Sequence, residues 1–144
     1  MKADSTTEAA VIAVLNRFGE AYASRDIDGI MSILSPDPDL FLYGTGADEK
    51  RIGPAEFRIQ AERDWAQTET ASFEFGEHTV SAAGSVAWVA TEGAFRGRIS
   101  GEEVTVPVRL TCVMENRQNQ WLIAQAHFSV AHAEQEEGES FPSP

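Results

Sequence analysis

Apolar residues in the first part of the chain recur every three or four positions, which predicts amphipathic helices. Ser5 and Glu8 have the spacing of a capping box at the start of a first helix, so the Ser5 hydroxyl is expected to accept a hydrogen bond from the Glu8 amide. Asp26 is expected to cap a second, shorter helix, which the prolines after it end. The two apolar faces are Val11, Val14, Leu15, Phe18 and Tyr22, and then Ile27, Ile30, Met31 and Leu34.

The next segment predicts two short strands and a third helix. The first strand, 40–43, is stopped by Gly44-Thr45-Gly46, and a brief strand lies around Arg51-Ile52. Gly53-Pro54 opens the helix, because proline is tolerated in a first helical turn. One face of this helix carries Phe57, Ala61, Asp64 and Trp65.

Beyond residue 70 the hydrophobic period changes from helical to alternating, and short turns separate four segments. These segments predict one antiparallel meander. Because the helices come first and the strands last, the fold class is α+β, with three N-terminal helices packed on one face of a curved sheet. We expect one domain over residues 1–132 and an acidic tail over 133–144. The predicted strands are Ser72–Ala82, Val86–Gly97, Glu103–Glu115 and Trp121–Val130.

Alternation also assigns side chains to the two faces of the sheet. A turn centred on Ser100-Gly101 places Glu92 opposite Arg109, and a turn centred on Gln118 places Arg109 opposite His127. The predicted row is an anion-binding or proton-transfer site in one interpretation, and a cross-strand ion pair at a subunit contact in the other. Trp88 and Trp121 on the same polar face favour the contact.

The opposite, apolar face is expected to form the core under the helices. It is also expected to enclose a pocket, because helices do not fill a curved sheet completely. The polar side chains predicted to reach this pocket are Tyr22, Tyr43, Trp65 and Thr91, and ordinary packing is the alternative for each.

Composition narrows the classes of partner. The 144 residues include 11 basic and 23 acidic side chains, for a net charge of −12, which disfavours binding to nucleic acid or to an anionic membrane. A single cysteine, Cys112, excludes an intrachain disulfide, fits a cytoplasmic protein, and is interpreted as a small core residue. His78, His127 and His132 lack metal-ligand spacing, and no nucleotide-binding motif occurs, so no metal or cofactor is expected.

The order of several short motifs resembles the SnoaL-like branch of the NTF2-like superfamily. That branch includes ketosteroid isomerases, limonene epoxide hydrolases, polyketide cyclases and the association domain of calcium/calmodulin-dependent kinase II. The resemblance implies a cone-shaped sheet, an internal pocket, and a homodimer joined through the outer sheet face. The motifs that carry it are Asn16-Arg17-Phe18, Arg25-Asp26-Ile27-Asp28-Gly29-Ile30, Gly44-Thr45-Gly46, Asp48-Glu49, Gly53, Gln120-Trp121-Leu122-Ile123 and His127-Phe128-Ser129.

The resemblance leaves the activity open. The tyrosine and two aspartates of ketosteroid isomerases align with Phe18, with Tyr43 and with Leu110 or Cys112, so steroid isomerisation is not expected. We expect a domain that binds a small, mostly apolar or aromatic molecule, with Tyr43 as the candidate acid of an isomerase, cyclase or hydratase. A non-catalytic dimerisation module is the alternative. The expected ligand-binding residues are Phe18, Tyr22, Tyr43, Trp65, Thr91, Cys112 and Phe128, and the expected contact residues are Trp88, Glu92, Arg109 and His127.

Overall fold

The computed structural model describes residues 1–144 and confirms the α+β class. Three helices pack on a six-stranded mixed sheet. No helix is long and apolar enough to cross a membrane. Residues 130–144, after the last strand, form no helix or strand. The elements are α1 (Ser5–Ala23), α2 (Ile27–Met31), β1 (Phe41–Tyr43), β2 (Lys50–Ile52), α3 (Pro54–Ala66), β3 (Thr70–Ala83), β4 (Val86–Ile99), β5 (Glu102–Arg117) and β6 (Gln120–Ser129).

Aspartate side chains cap the first turns of α1 and α2. The predicted cap of α2 is confirmed, because the Asp26 carboxylate accepts a hydrogen bond from the Gly29 amide at 2.9 Å. The predicted capping box of α1 is wrong by one residue. Asp4 is the N-cap, and its carboxylate accepts from the Thr7 amide at 2.8 Å, while Ser5 is already helical. A carboxylate at this position also interacts favourably with the positive end of the helix dipole.

The strands run in the order β2-β1-β6-β5-β4-β3. Strands β3 to β6 form the predicted antiparallel meander, and β1 pairs with β6 in parallel. The face under the helices, called the inner face here, carries the main core, and the other is the outer face. The predicted assignment of side chains to the inner face is confirmed along β4 and β5, since Val89, Leu110 and Met114 are buried in the core.

The pairing of β4 with β5 matches the prediction, and the pairing of β5 with β6 does not. Glu92 lies opposite Arg109, as the Ser100-Gly101 turn requires. Arg109, however, lies opposite Ser129, and His127 lies opposite Thr111. His127 is therefore displaced by two positions along β5, and the predicted row across three strands is not formed.

Two local features cause this shift. The β5–β6 turn is centred between Gln118 and Asn119, which both have positive φ (53° and 63°), as in the two-residue turns preferred by hairpins. An irregularity then follows, because Val113 pairs with Gln125 and Met114 pairs with Ile123. Each feature moves the register by one residue. Beyond the irregularity, a β-bulge at Ala124, the total shift is two residues, so inward-facing and outward-facing side chains are again as predicted.

Before the bulge, the faces of β6 are exchanged relative to the prediction. Ile123 is buried in the core, and Trp121 packs against the core instead of standing on the outer face. Beyond the bulge the predicted parity is correct, since His127 is exposed on the outer face and Phe128 packs inward. A single extra residue in one strand is sufficient to turn Trp121 inward.

Candidate functional site

A cavity of about 320 Å³ lies between the helices and the inner face of the sheet. Its volume is at the low end of the roughly 300–1,000 Å³ that is usual for small-molecule sites. The wall is mostly apolar and rich in aromatic rings. The apolar wall comprises Phe18, Ile30, Leu42, Phe57, Ala61, Phe73, Phe95, Ile99, Val106, Val108 and Phe128, together with the ring of Tyr22.

Four hydrogen-bonded side chains form what we call the polar end of the cavity: Tyr22, Glu49, Gln60 and Asp64. The Tyr22 hydroxyl donates to Asp64 Oδ2 at 2.8 Å. Gln60 Nε2 donates to Asp64 Oδ1 at 2.7 Å and to Glu49 Oε1 at 2.7 Å. The polar end is thus one continuous network joining α1, α3 and the loop before β2.

The chain positions each member of this network by local means. Gln60 and Asp64 are separated by one helical turn of α3, so their side chains share a face. Glu49 folds back over the Gly44–Gly46 loop, where its carboxylate accepts from the Gly46 amide. A Cβ added at Gly44 would lie 2.9 Å from Glu49 Cβ, so glycine allows Glu49 to pack closely against this loop.

Basic residues support the network from outside the cavity. Arg63 donates to Asp48 at 2.8 Å and to Glu49 Oε1 at 3.3 Å, and Arg51 Nε donates to Gln60 Oε1 at 2.9 Å. The Arg63 guanidinium holds the pKa of Asp48 below its usual range. Asp64 has no arginine within hydrogen-bonding distance, and its donors are the neutral groups of Tyr22 and Gln60.

The environment of Asp64 makes its carboxyl a weaker acid than an exposed aspartate. Burial raises the pKa of the carboxyl above its ordinary value of 3.8, and the hydrogen bonds from Tyr22 and Gln60 only partly oppose this effect. Burial and the adjacent Asp64 charge also raise the pKa of the Tyr22 phenol. A carboxyl group with a raised pKa at the end of an apolar cavity is suited to proton transfer. Nowhere in the structure do three His, Cys, Asp or Glu side chains converge as a metal site.

Of the seven expected ligand-binding residues, Phe18, Tyr22 and Phe128 line the cavity. Tyr43 does not, and its expected position is wrong. Its neighbour Leu42 points inward, so the Tyr43 ring lies on the outer face, where it is 42% exposed and 5.2 Å from the His127 ring. A three-residue strand is too short for alternation in the sequence to define its inner face.

Trp65, Thr91 and Cys112 are buried but do not line the cavity, which corrects their expected positions. The Trp65 indole donates to the Tyr22 carbonyl at 3.0 Å, and the Thr91 hydroxyl donates to the Glu77 carbonyl at 2.8 Å. Burial raises the pKa of the Cys112 thiol to about 12, so the thiol stays protonated. Each of these polar groups is occupied by structural contacts or buried in the core.

The four expected contact residues all belong to the outer face. Trp88 is 41% exposed, and Glu92 and His127 are exposed as well. Arg109 lies opposite Glu92, but its guanidinium donates to Ser129 Oγ at 3.0 Å and to the Val130 carbonyl at 3.2 Å. The predicted cross-strand ion pair is therefore not formed.

Sequence reasoning missed Glu49, Gln60 and Asp64 as site residues. Asp48 and Glu49 lie in a loop of the sequence, where solvated side chains are usual, yet the Glu49 side chain is only 16% exposed. A signal for Asp64 was available, because an aspartate interrupts the apolar face of the third helix. A carboxylate on such a face has to be paired, neutral or functional.

A family comparison agrees with this architecture. The model of the SnoaL-like domain family matches residues 11–133, and the chain belongs to that family. No curated protein matches the sequence. The family model thus confirms the predicted resemblance to SnoaL-like proteins.

Solved structures show the same fold. An NTF2-like superfamily protein from Salmonella enterica has a TM-score of 0.83 at 15% identity, over 96% of this chain and all of that one. A protein of the NTF2-like family from Streptomyces avermitilis, provisionally named a dehydratase, has a TM-score of 0.80 at 21% identity, over 91% and 100%. A protein from Novosphingobium aromaticivorans, provisionally named a scytalone dehydratase, has a TM-score of 0.78 at 8% identity, over 88% and 85%. At these identities the matches establish the fold alone.

Proposed function

We propose that this protein binds a small, mostly apolar or aromatic molecule in the cavity and catalyses a proton-transfer reaction there, with Asp64 as the acid–base group. The observation that carries the proposal is the position of Asp64, a carboxyl with a raised pKa at the polar end of an aromatic-walled cavity. Such a group exchanges protons nearer to neutral pH than an exposed aspartate does.

The reaction class that suits this arrangement is isomerisation, cyclisation, or the addition or removal of water. Each needs a proton to be taken from one atom and delivered to another, and none requires a metal when a positioned carboxyl is present. The provisional dehydratase names of two structural neighbours are consistent with this class. Tyr43, on the outer face, is not proposed as the acid.

Two measurements test the proposal. Binding is measured as a rise in melting temperature with a panel of steroids, terpenoids and aromatic compounds, since a ligand that binds the folded state stabilises it. Turnover of each compound that binds is then followed with the wild type and with Asp64→Asn. We expect the variant to lose at least about a hundredfold in rate, the usual contribution of a general acid or base.

Glu62→Gln is the matched control, because Glu62 lies on the same helix with a half-exposed side chain paired to Arg58. It should retain full turnover. Absence of any stabilising compound would remove support for the cavity as a binding site. Full turnover by Asp64→Asn would show that another group transfers the proton.

A homodimer through the outer face is a second proposal. Its support is an exposed aromatic side chain, Trp88, beside a depression that is also lined by Ala90, Thr111, Val113 and Gln125. Exposed aromatic residues are enriched at protein interfaces.

The cytoplasmic location remains a prediction from the sequence.

The dimer is tested by sedimentation of the wild type, Trp88→Glu and Ile59→Glu. Ile59 is 51% exposed on α3, away from the sheet face, and provides the matched control. We expect a dimeric wild type that only Trp88→Glu dissociates. A monomeric wild type, or a dimer that survives Trp88→Glu, would contradict the proposed contact.

A further inference from the structure

We infer that the polar end of the cavity recognises a ligand group that donates hydrogen bonds, such as a hydroxyl or an amine, and discriminates against one that only accepts them, such as a ketone or a carboxylate. The inference rests on the proposed binding function of the cavity and adds the chemical class of the ligand.

The donors of the polar end are already used within the protein. The single hydroxyl hydrogen of Tyr22 is directed to Asp64 at 2.8 Å. The amide nitrogen of Gln60 has two hydrogens, which are directed to Glu49 and Asp64, both at 2.7 Å. A ligand carbonyl in this position would find no free hydrogen from either side chain.

The surroundings keep these donors in place. Arg51 Nε donates to Gln60 Oε1 at 2.9 Å. If the Gln60 amide were rotated by about 180°, its NH2 group would face the Arg51 N–H, a second donor, so this hydrogen bond fixes the orientation of the amide. The Trp65 indole hydrogen and the Thr68 hydroxyl hydrogen are directed to backbone carbonyls at 3.0 Å and 2.8 Å. The remaining donor-bearing side chains of the wall, Thr45 and Gln67, are exposed residues, where water competes for them.

Acceptors, by contrast, remain available. A carboxylate offers about four lone-pair positions, and each Asp64 oxygen accepts only one hydrogen bond. The Tyr22 oxygen keeps its own lone pairs, since it acts only as a donor. A donating ligand group therefore completes the network, whereas a ligand carboxylate would be placed beside two protein carboxylates, Asp64 and Glu49.

The experiment uses four probes that share one phenylalkyl body: 3-phenylpropan-1-ol, 3-phenylpropylamine, 4-phenylbutan-2-one and 3-phenylpropanoate. Their dissociation constants are measured by calorimetry at pH 8, which favours ionised carboxyl groups. We expect the alcohol and the amine to bind about tenfold more tightly than the ketone and the carboxylate, the ratio that corresponds to one net hydrogen bond. Either order between alcohol and amine supports the inference, and the order distinguishes a neutral from a cationic ligand.

Variants assign the preference to the polar end. Asp64→Asn and, independently, Glu49→Gln each introduce an amide donor, so each should reduce the preference to about threefold or less, a loss of roughly half of one hydrogen bond's contribution. Having two variants protects the test against one that fails to fold. Glu62→Gln, outside the cavity, should leave the preference unchanged.

The possible failures are distinguishable. Ketone or carboxylate binding that equals or exceeds that of the alcohol and amine overturns the inference and leaves the binding function standing. An unchanged donor preference in both folded variants also overturns it, because the preference then arises elsewhere. No binding by any of the four probes overturns both the inference and the proposed binding function.

Discussion

The Tyr22 hydroxyl donates a 2.8 Å hydrogen bond to Asp64 and so joins the first and third helices above the cavity. The two groups influence each other in opposite directions. The Asp64 charge contributes to raising the pKa of Tyr22, whereas the hydrogen bond from Tyr22 lowers the pKa of Asp64 and partly offsets the effect of burial. The pair therefore determines both the proton affinity of the candidate acid–base group and the hydrogen bonds that a ligand can make.

Removing the phenol should raise the pKa of Asp64. In Tyr22→Phe, burial acts on Asp64 without the opposing hydrogen bond, so the carboxyl should titrate at a higher pH than in the wild type. Titration of the carboxyl carbon by NMR measures this directly. Tyr43→Phe, on the outer face, should leave the Asp64 titration unchanged. An unaltered or lowered Asp64 pKa in Tyr22→Phe would show that the hydrogen bond is not formed in solution.

Asp64→Asn should become relatively more stable as the pH rises. The folded-state pKa of Asp64 is raised, so its favourable contribution is complete below the ordinary value of 3.8 and is lost as the pH rises through the folded-state pKa. The free energy of unfolding of Asp64→Asn, relative to that of the wild type, should therefore increase from pH 3.5 to pH 7.5 in urea denaturation. Glu62→Gln is the control for removing a carboxylate from the same helix. A constant difference across this range would contradict the raised pKa.

His78 should produce acid sensitivity near neutral pH. Its Nε2 atom is buried without a hydrogen-bond partner, and burial lowers the pKa of the ring below 6.5. A histidine with a lowered folded-state pKa contributes stability above pH 6.5 that is lost as the pH falls through the folded-state value. His78→Leu should therefore flatten the stability profile between pH 7.5 and pH 5. His132→Gln, in the segment after β6, should retain the wild-type slope.

The core under α1 should dominate the stability. Leu15 is 1% exposed, and Leu15→Ala should lower the free energy of unfolding by about 2–5 kcal/mol through lost burial and a residual cavity. Ile59→Ala, at a side chain that is half exposed, should change it by less than about 0.5 kcal/mol. Denaturant unfolding distinguishes the two. Equal effects would mean that the α1 face does not pack as described.

Much of the fold was predictable because it follows from the hydrophobic periodicity of short segments. The change of hydrophobic period near residue 70 separated helices from strands, and alternation assigned the inner face of β4 and β5, including Val89 and Leu110. The Ser100-Gly101 turn gave the correct opposition of Glu92 and Arg109. These features depend on residues that are neighbours in the chain or across one tight turn.

The bulge in β6 was not predictable in the same way. Counting from a turn assumes an uninterrupted ladder, and the irregularity at Val113 and Met114 breaks it. Together with the turn between Gln118 and Asn119, this irregularity turns Trp121 inward and places His127 opposite Thr111 instead of Arg109. Whether a strand accommodates an extra residue depends on how its two halves pack, and packing is not encoded in alternation.

The sequence by itself determined the fold class, the family and the acidic character of the chain. It also determined that Phe18 and Phe128 contribute to the apolar wall of the cavity. Only the tertiary structure decided which polar groups meet at the cavity. Tyr22, Glu49 and Asp64 come from three separate segments, and no local period relates them. Their association follows from the docking of α1 and α3 over the sheet, where a buried carboxyl must find its hydrogen bonds among whichever side chains the packing brings within reach.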